Sequence, residues 1–265
     1  MSWDERQRAM LAEMGYRLPA GPAAAPVAAD EAPSDAAPQA APASVMARPA
    51  APAVQKAQPM PPPAVVLRQP ADAPTHFDAL ELPALRDAVL SCRGCGLCEQ
   101  RRHAVFGHGA LAQANWLVVT DPPEEADDAG GEPLVGDAGR LLDRMLLAAG
   151  QRRMGDAPTA FVTPLVKCRP PRGRAPLPAE LDACEAVLAR QAALLQPRVV
   201  LAMGLQAARR LTGLAEPLGR LRGRLHRWQG VPVVVTYHPA YLLRSPADKA
   251  GAWDDLCLAR QTCQT

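Results

Sequence analysis

The chain has 265 residues and a formal net charge of +2, a length that allows one domain of ordinary size plus an appendage. No stretch reaches the roughly 18 apolar residues that a membrane-spanning helix needs, so we expect no membrane association. The first residues are charged and precede no apolar core, which argues against a secretory leader and favours a cytoplasmic protein.

Residues 1–75 differ in composition from the rest of the chain. They hold 14 of the 29 prolines, together with long alanine runs. A segment so poor in large apolar residues cannot offset its ordering entropy. Residues 19–75 are therefore predicted to be a disordered, semi-rigid Pro/Ala-rich linker, and residues 76–265 to form one domain.

Residues 1–18 carry a helical pattern ahead of this linker. Trp3, Met10, Leu11 and Met14 fall on one helical face, and Ser2 can cap the helix. A helix this short is marginal alone. Two interpretations stay open: a frayed tail, or a tethered helix that docks on a partner protein.

Four short apolar runs within residues 76–265 are typical of buried parallel strands. Helical patterns flank or separate them, and such alternation predicts a sheet with helices on both faces. The predicted fold is a three-layer α/β/α domain with a central, mainly parallel, four-stranded sheet. The predicted strands are Trp116–Thr120, Ala160–Val166, Arg198–Met203 and Val231–Tyr237; the predicted helices are Leu82–Leu90, Gly139–Ala149, Pro178–Leu195, Leu205–Leu211 and Ala247–Ala259.

Three unusual loops follow these predicted strands. They begin at Asp121, Cys168 and His238, and each contains proline. In open parallel sheets, ligands bind outside the carboxyl ends of the strands. The convergence of the three loops on one edge therefore predicts a functional site there.

Seven cysteines without a secretory leader favour metal binding or catalysis over a disulfide framework. Cys92 and Cys95 have a C-x-x-C spacing, and Cys168 and Cys184 lie far downstream. Four thiolates can hold zinc or an iron–sulfur cluster. Spacing alone does not choose between them, nor does it exclude separate buried thiols.

Arginines cluster near residues 169–174 and 220–227. Such clusters can neutralise phosphates, although a solvated surface is the plainer interpretation of charge alone.

Several motifs resemble those of the iron–sulfur (family four) uracil-DNA glycosylases, in the same order over roughly 175 residues. The most specific is the final one, which runs from Thr236 through His238 to Arg244. The segment from Lys167 through Pro171 to Cys184 is similar to the family's signature after its second strand, and Leu221-Arg222-Gly223 matches a further short element. The other matching segments are Cys92 to Gly109 and Gly131 to Leu142.

This resemblance implies an enzyme that cuts the bond between a damaged base and its deoxyribose in single- or double-stranded DNA, after flipping the base into a pocket. His238 would face the developing charge on the leaving base, and the carboxylate of Asp121 would serve the sugar cation or its capture. The resemblance also implies a 4Fe–4S cluster held by Cys92, Cys95, Cys168 and Cys184, with zinc the less favoured alternative, and a monomer. Residues expected to contact DNA are Arg169, Arg172, Arg222, Arg224, Tyr241, Leu242 and Arg244.

The predicted base pocket departs from the family's pattern. Thr120, Pro122 and Glu124 stand in a loop that usually reads Gly-Glu-Ala-Pro-Gly, and Leu134 replaces the stacking Phe. Pro164 replaces the Asn that reads the uracil edge, and proline has no amide that could do so. Two hypotheses follow: a glycosylase for uracil or another deaminated base, or a catalytically degenerate homologue that binds DNA or protein.

Overall fold

A computed structural model describes residues 77–264. The predicted helix within residues 1–18 and the predicted linker at 19–75 lie outside the described residues. In chain order, the helices are α1 (Leu82–Leu90), α2 (Glu125–Gly130), α3 (Asp137–Ala148), α4 (Pro178–Leu195), α5 (Leu205–Thr212), α6 (Leu218–Leu221), α7 (Pro239–Arg244) and α8 (Lys249–Thr262). The strands are β1 (His108–Gly109), β2 (Trp116–Thr120), β3 (Ala160–Pro164), β4 (Val199–Met203), β5 (Leu225–Trp228) and β6 (Val231–Thr236).

The strands form one six-stranded sheet in the order β1-β3-β2-β4-β6-β5. The four inner strands are parallel, as predicted, but β1 and β5 add antiparallel pairs at the two edges. The expected count of four strands was therefore wrong. The edge strands escaped the sequence pattern because β1 has two residues and β5 is mostly exposed, so neither forms a buried apolar run.

Side chains alternate between the two faces of the sheet, as strand geometry requires. Leu117, Val119 and Val200 pack against α1, α4 and α5 on one face. Trp116, Val118 and Leu201 pack against α3, α7 and α8 on the other face. The predicted three-layer α/β/α class is thus confirmed.

Strand β3 ends at Pro164, two residues earlier than predicted. The chain turns there and carries the Lys167 side chain back inside, where its Nζ donates to the Pro164 carbonyl at 2.8 Å. None of the helices between residues 77 and 264 is both long and apolar enough to cross a lipid bilayer.

Candidate active site and cysteine pocket

The four parallel strands end at one level, which defines the carboxyl edge of the sheet. Pro164, Thr120, Met203 and Thr236 stand side by side in register on β3, β2, β4 and β6. The loops that begin at Asp121 and His238 therefore leave the same edge, separated by strand β4.

Asp121 is the first residue after β2, and its carboxylate faces the N-terminus of α5. Oδ1 accepts a hydrogen bond from the Ala207 backbone N–H at 2.9 Å. Burial raises the pKa of Asp121 to about 6, although backbone N–H groups of Ala207, Gln206 and Leu205 oppose the rise. A carboxyl group with this pKa is mostly ionised at neutral pH. Its pKa is also close enough to 7 for the carboxylate to accept a proton during a reaction.

The approach of Asp121 to α5 depends on Gly204, which precedes the helix. Gly204 has φ of +104°, and a Cβ atom there would lie 2.2 Å from Asp121 Oδ2. A side chain at this position would therefore collide with the carboxylate. Sequence reasoning did not predict this contact, although a glycine directly after strand β4 was a signal for close backbone approach.

His238 caps the N-terminus of α7, which the sequence analysis had treated as a loop. Its Nδ1 accepts from the Ala240 backbone N–H at 3.3 Å, and Pro239 occupies the first helical position. Burial, with a smaller effect of the Arg244 charge, lowers the pKa of His238 to about 4. The imidazole is therefore neutral at physiological pH, and because Nδ1 accepts, the proton resides on Nε2.

A pocket beside the carboxyl edge brings Asp121 and Pro122 together with Arg169 and Arg172. It contains about 970 Å³ of space unfilled by protein atoms, counted out to its open mouth, and Gln206 lines it on the α5 side. This pocket joins the predicted carboxylate to two of the predicted DNA-binding arginines.

The other residues predicted to form the base pocket do not line the pocket beside Asp121. Thr120 is buried, and its hydroxyl donates to the Asp121 carbonyl at 3.1 Å. Leu134 is buried in the apolar layer between the sheet and α3. The buried Pro164 presents its carbonyl to Lys167. His238 also lies outside the described wall of this pocket.

A buried lysine lies directly behind Pro164, and sequence reasoning missed it. Lys167 is 2% exposed, and its Nζ donates to Thr163 Oγ1 at 2.5 Å and to Gln191 Oε1 at 3.0 Å. Burial lowers its pKa to about 7. This polar network ties strand β3 to helix α4 beneath the carboxyl edge.

Five of the seven cysteines line one pocket beneath the loop that follows α1. The pocket contains about 340 Å³ of space unfilled by protein atoms, counted to its mouth. Its wall combines sulfur atoms from the loop after α1, the loop after β3 and helix α4: Cys92, Cys95, Cys98, Cys168 and Cys184. The four predicted ligands are thus brought together, and Cys98, which the resemblance does not include among the ligands, lines the same pocket.

Cationic and backbone groups face these sulfur atoms. Arg101 Nη1 donates to Cys168 Sγ at 3.0 Å, and the Gly94 N–H donates to Cys92 Sγ at 3.3 Å. Burial raises the pKa of Cys95 to about 11 and that of Cys168 to about 12. Deprotonation of such thiols requires a positively charged partner, which a bound metal centre supplies.

In the part of the chain that the structure describes, no three Cys, His, Asp or Glu side chains group closely around one point as they would for a single metal ion. The thiols instead line one pocket without meeting at a single point. In a 4Fe–4S cluster each of the four cysteines would bind a different iron, so the thiolates would lie farther apart than around a single ion. The donor set and its distribution around the pocket therefore fit such a cluster.

The residues predicted to contact DNA divide into exposed and internal groups. Arg172, Arg224 and Arg244 are exposed. Arg169 and Arg224 pair with Glu125 and Glu216 at 3.2 and 2.9 Å, respectively. Arg222 is mostly buried in an ion pair with Asp255.

The prediction that Leu242 contacts DNA was wrong. Its side chain is 1% exposed and packs into the core, whereas the neighbouring Leu243 is 43% exposed. The motif was treated as a loop, but it forms helix α7, and a helix turns adjacent side chains to different faces. Tyr241 is partly exposed, and its hydroxyl donates to Asp248 Oδ2 at 2.7 Å.

Comparisons with known proteins agree with this architecture. The family model described as the uracil DNA glycosylase superfamily matches residues 106–257. A type-4 uracil-DNA glycosylase of Pyrobaculum aerophilum is 38% identical over 187 residues, which cover 68% of this chain and 93% of that protein. Type-4 uracil-DNA glycosylases of Archaeoglobus fulgidus and Thermotoga maritima are 35% and 34% identical, over 60% and 66% of this chain and 81% and 88% of their own lengths. This chain therefore belongs to the uracil-DNA glycosylase superfamily, within its type-4 branch.

Proposed function

We propose that the protein is a DNA repair glycosylase that hydrolyses the N-glycosidic bond of uracil or another deaminated base. The observation that carries this proposal is the state of His238, a neutral imidazole whose Nδ1 is held by helix α7 at the carboxyl edge of the sheet. The type-4 relatives, at 33–38% identity, support the same activity.

His238 has the protonation state that can stabilise a departing base. As the glycosidic bond breaks, the base becomes an anion and the sugar becomes oxocarbenium-like. A fixed donor aimed at the developing negative charge lowers this barrier because it needs no reorganisation during the reaction. Because Nδ1 is occupied by the Ala240 N–H, we assign the role of this donor to Nε2–H of His238.

Asp121 is the proposed partner on the sugar side. Its carboxylate lines the open pocket, and its pKa of about 6 leaves it ionised at neutral pH. An anion at this place can stabilise the sugar cation and accept a proton from an attacking water. The N-terminus of α5 holds the carboxylate in a fixed orientation.

The surface around the pocket supplies the proposed contacts to DNA. Arg172 and Arg244 are exposed near the carboxyl edge, and Arg169 lines the pocket wall. These guanidinium groups can bind phosphates on either side of an extruded nucleotide. Leu243, rather than Leu242, presents an exposed apolar side chain that can wedge between bases.

We assign Cys92, Cys95, Cys168 and Cys184 as ligands of a 4Fe–4S cluster, in preference to zinc. When bound, such a cluster would crosslink distant points of the chain and stabilise the loop from which Cys168 emerges. Arg101 supplies positive charge at the pocket wall, where its Nη1 donates to Cys168 Sγ. Visible absorbance with matched iron and acid-labile sulfide would support the assignment, and stoichiometric zinc without colour would replace it.

Base preference is expected to differ from that of enzymes with an amide at the position of Pro164. A site that lacks a hydrogen-bonding partner loses discrimination by orders of magnitude. The same residue favours the second candidate, a homologue that binds DNA without cleaving it. DNA remains the proposed binding partner, with the protein acting as a cytoplasmic monomer; docking by residues 1–18 stays a prediction.

The two candidates separate in one assay. Single-stranded and duplex oligonucleotides bearing uracil, hypoxanthine or xanthine are incubated with the wild-type protein, and abasic sites are measured. Product on at least one base supports the glycosylase, with the variant His108→Gln, at a partly exposed histidine on edge strand β1, as a control that retains activity. DNA binding without product on any base would establish the non-cleaving homologue.

A further inference from the structure

A cation and two aromatic rings stack around the segment that carries His238. The guanidinium carbon of Arg222 lies 3.9 Å from the centre of the Tyr237 ring. The Tyr237 ring stacks on Tyr241, with ring centres 5.1 Å apart and planes 20° from parallel. Tyr237 directly precedes His238, and Tyr241 lies three residues after it, so the stack brackets the histidine along the chain.

Arg222 is held in this place by helix α8. Its Nε donates to Asp255 Oδ2 at 2.7 Å, and the Asp255 side chain is 1% exposed. Gly251, also on α8, lets the guanidinium approach the helix, because a Cβ atom there would lie 2.7 Å from Arg222 Nη2. The ion pair and the close backbone therefore fix the plane of the guanidinium over Tyr237.

These contacts leave Arg222 poorly suited to the phosphate contact that its sequence neighbourhood suggested. Its side chain is 14% exposed, and its Nε is engaged by a buried carboxylate. Moving it to a phosphate would leave Asp255 buried without its cation, which is costly. By contrast, Arg172 is exposed on the loop after β3.

We propose that Arg222 is a positioning residue for His238 and acts through the ring of Tyr237. This inference rests on the proposed function, since it concerns the orientation of the same imidazole. The cation fixes the Tyr237 ring, the ring fixes the backbone that enters α7, and this backbone sets the direction of His238. The orientation matters because a shift of about 1 Å in a reacting group can cost about a hundredfold in rate.

Two substitutions separate this role from a merely structural one. Arg222→Lys keeps the charge beside Asp255 but loses the flat guanidinium over the ring. Tyr237→Leu keeps Arg222 and its ion pair but removes the aromatic face, while Tyr237→Phe preserves that face. Arg227→Gln is the matched charge control, because Arg227 is exposed on strand β5, shortly after Arg222 in the chain, and donates to the Gly230 carbonyl.

The first readout is the single-turnover excision rate beside the DNA dissociation constant. Arg222→Lys and Tyr237→Leu should lower the rate by about tenfold to a hundredfold with affinity for DNA within about twofold. Tyr237→Phe and Arg227→Gln should retain the wild-type rate. A loss of DNA affinity with an unchanged rate in Arg222→Lys would overturn the proposal and make Arg222 a phosphate contact.

The second readout does not depend on activity. The chain has five histidines, so nitrogen-15 labelled imidazoles can be assigned by comparison with His238→Gln. The wild type should show His238 with a protonated Nε2, and both Arg222→Lys and Tyr237→Leu should show averaged tautomers. Unchanged His238 signals in the two folded variants would refute the positioning role even if the wild type cleaved no base, in which case only the proposed function would fail.

Discussion

At the residue scale, the site combines two groups whose pKa values move in opposite directions. Burial lowers the pKa of His238 to about 4 and raises that of Asp121 to about 6. The order of the two pKa values is therefore reversed, and groups whose environments shift their pKa values in opposite directions commonly take different roles in acid–base chemistry. Here the imidazole stays neutral across the physiological range, whereas the carboxyl group changes charge just below it.

The pH dependence of excision should therefore report Asp121 and not His238. The single-turnover rate is expected to rise as the pH increases through about 6 and then to stay level up to about pH 8. In Asp121→Asn, which cannot ionise, the rate should be low and free of this step. A step near pH 6.5 that persists in Asp121→Asn would instead assign the titration to an ordinary histidine and contradict a neutral His238.

The raised pKa of Asp121 also predicts how the stability of the fold changes with pH. Because the folded pKa of Asp121 is raised to about 6, the folded state holds its proton more tightly than the unfolded state, and stability falls as the pH rises toward that value. At pH 7.5, Asp121→Asn should therefore raise the free energy of unfolding by about 1 kcal/mol while lowering activity. Denaturant titration measures this; a destabilised Asp121→Asn would show that the bond to Ala207 outweighs the cost of burying the charge.

The position of an individual side chain could be predicted from the sequence where that side chain follows the end of a strand. Asp121 and His238 follow buried apolar runs, so their edge of the sheet could be predicted. Their hydrogen bonds could not, since the partners Ala207 and Ala240 depend on where helices begin. The burial of Arg222 depends on Asp255, which lies 33 residues away and gives no local signal.

At the scale of elements, the junction between β4 and α5 depends on a glycine at position 204. Gly204→Ala introduces a Cβ at positive φ and also places it 2.2 Å from the Asp121 carboxylate. We expect a loss of unfolding free energy of about 2–3 kcal/mol and a lower excision rate, because Asp121 must move. Chemical denaturation of the variant checks the first expectation.

The matched control is Gly213→Ala at the other end of the same helix. Gly213 has φ of +70°, but a Cβ there would meet no neighbouring atom within 4 Å. It should cost about 1 kcal/mol from backbone strain alone. Equal losses in the two variants would mean that Asp121 accommodates the extra methyl group.

Long elements with a strong pattern were predictable, and short ones were not. Leu82–Leu90, Pro178–Leu195 and Trp116–Thr120 have the bounds that the sequence indicated. Helix α7 has six residues, too few for a helical period to emerge beside Pro239. Pro164 fits inside the sheet because β1 ends opposite Phe161 and Val162, so no strand lies beside Pro164 on that side to require its missing N–H.

At the scale of the whole molecule, the cysteine pocket joins three distant parts of the chain. Cys168→Ala should abolish the visible absorbance of the purified protein and lower its melting temperature by roughly 10 °C, because a metal centre that crosslinks the fold contributes folding energy. Cys263→Ala is the matched control, since this thiol accepts from Trp116 Nε1 at 3.1 Å, away from the pocket. Retained colour and melting temperature in Cys168→Ala would remove this residue from the ligand set.

Cys98 offers a sharper check of the assignment. It lines the same pocket as the four proposed ligands, so position alone does not exclude it. We expect Cys98→Ala to retain the cluster and Cys184→Ala to lose it. The opposite pattern would exchange the two residues in the ligand set.

The meeting of the cysteines could not be derived from their spacing. Cys168 reaches the pocket from the loop after β3, and Cys184 reaches it from helix α4. Their approach depends on how α4 packs across the sheet, which a local pattern does not encode. The resemblance to the family predicted the meeting of the cysteines, because the family's set of ligands reflects that packing of α4.

The central claim is that a neutral His238, fixed at the carboxyl edge of the sheet, drives departure of the base. Its most direct test is single-turnover excision from a single-stranded oligonucleotide with one uracil, compared between wild type and His238→Ala. The account predicts cleavage by the wild type and a loss of about 100-fold to 1,000-fold in the variant, with DNA affinity unchanged. Equal rates in the two proteins would contradict it.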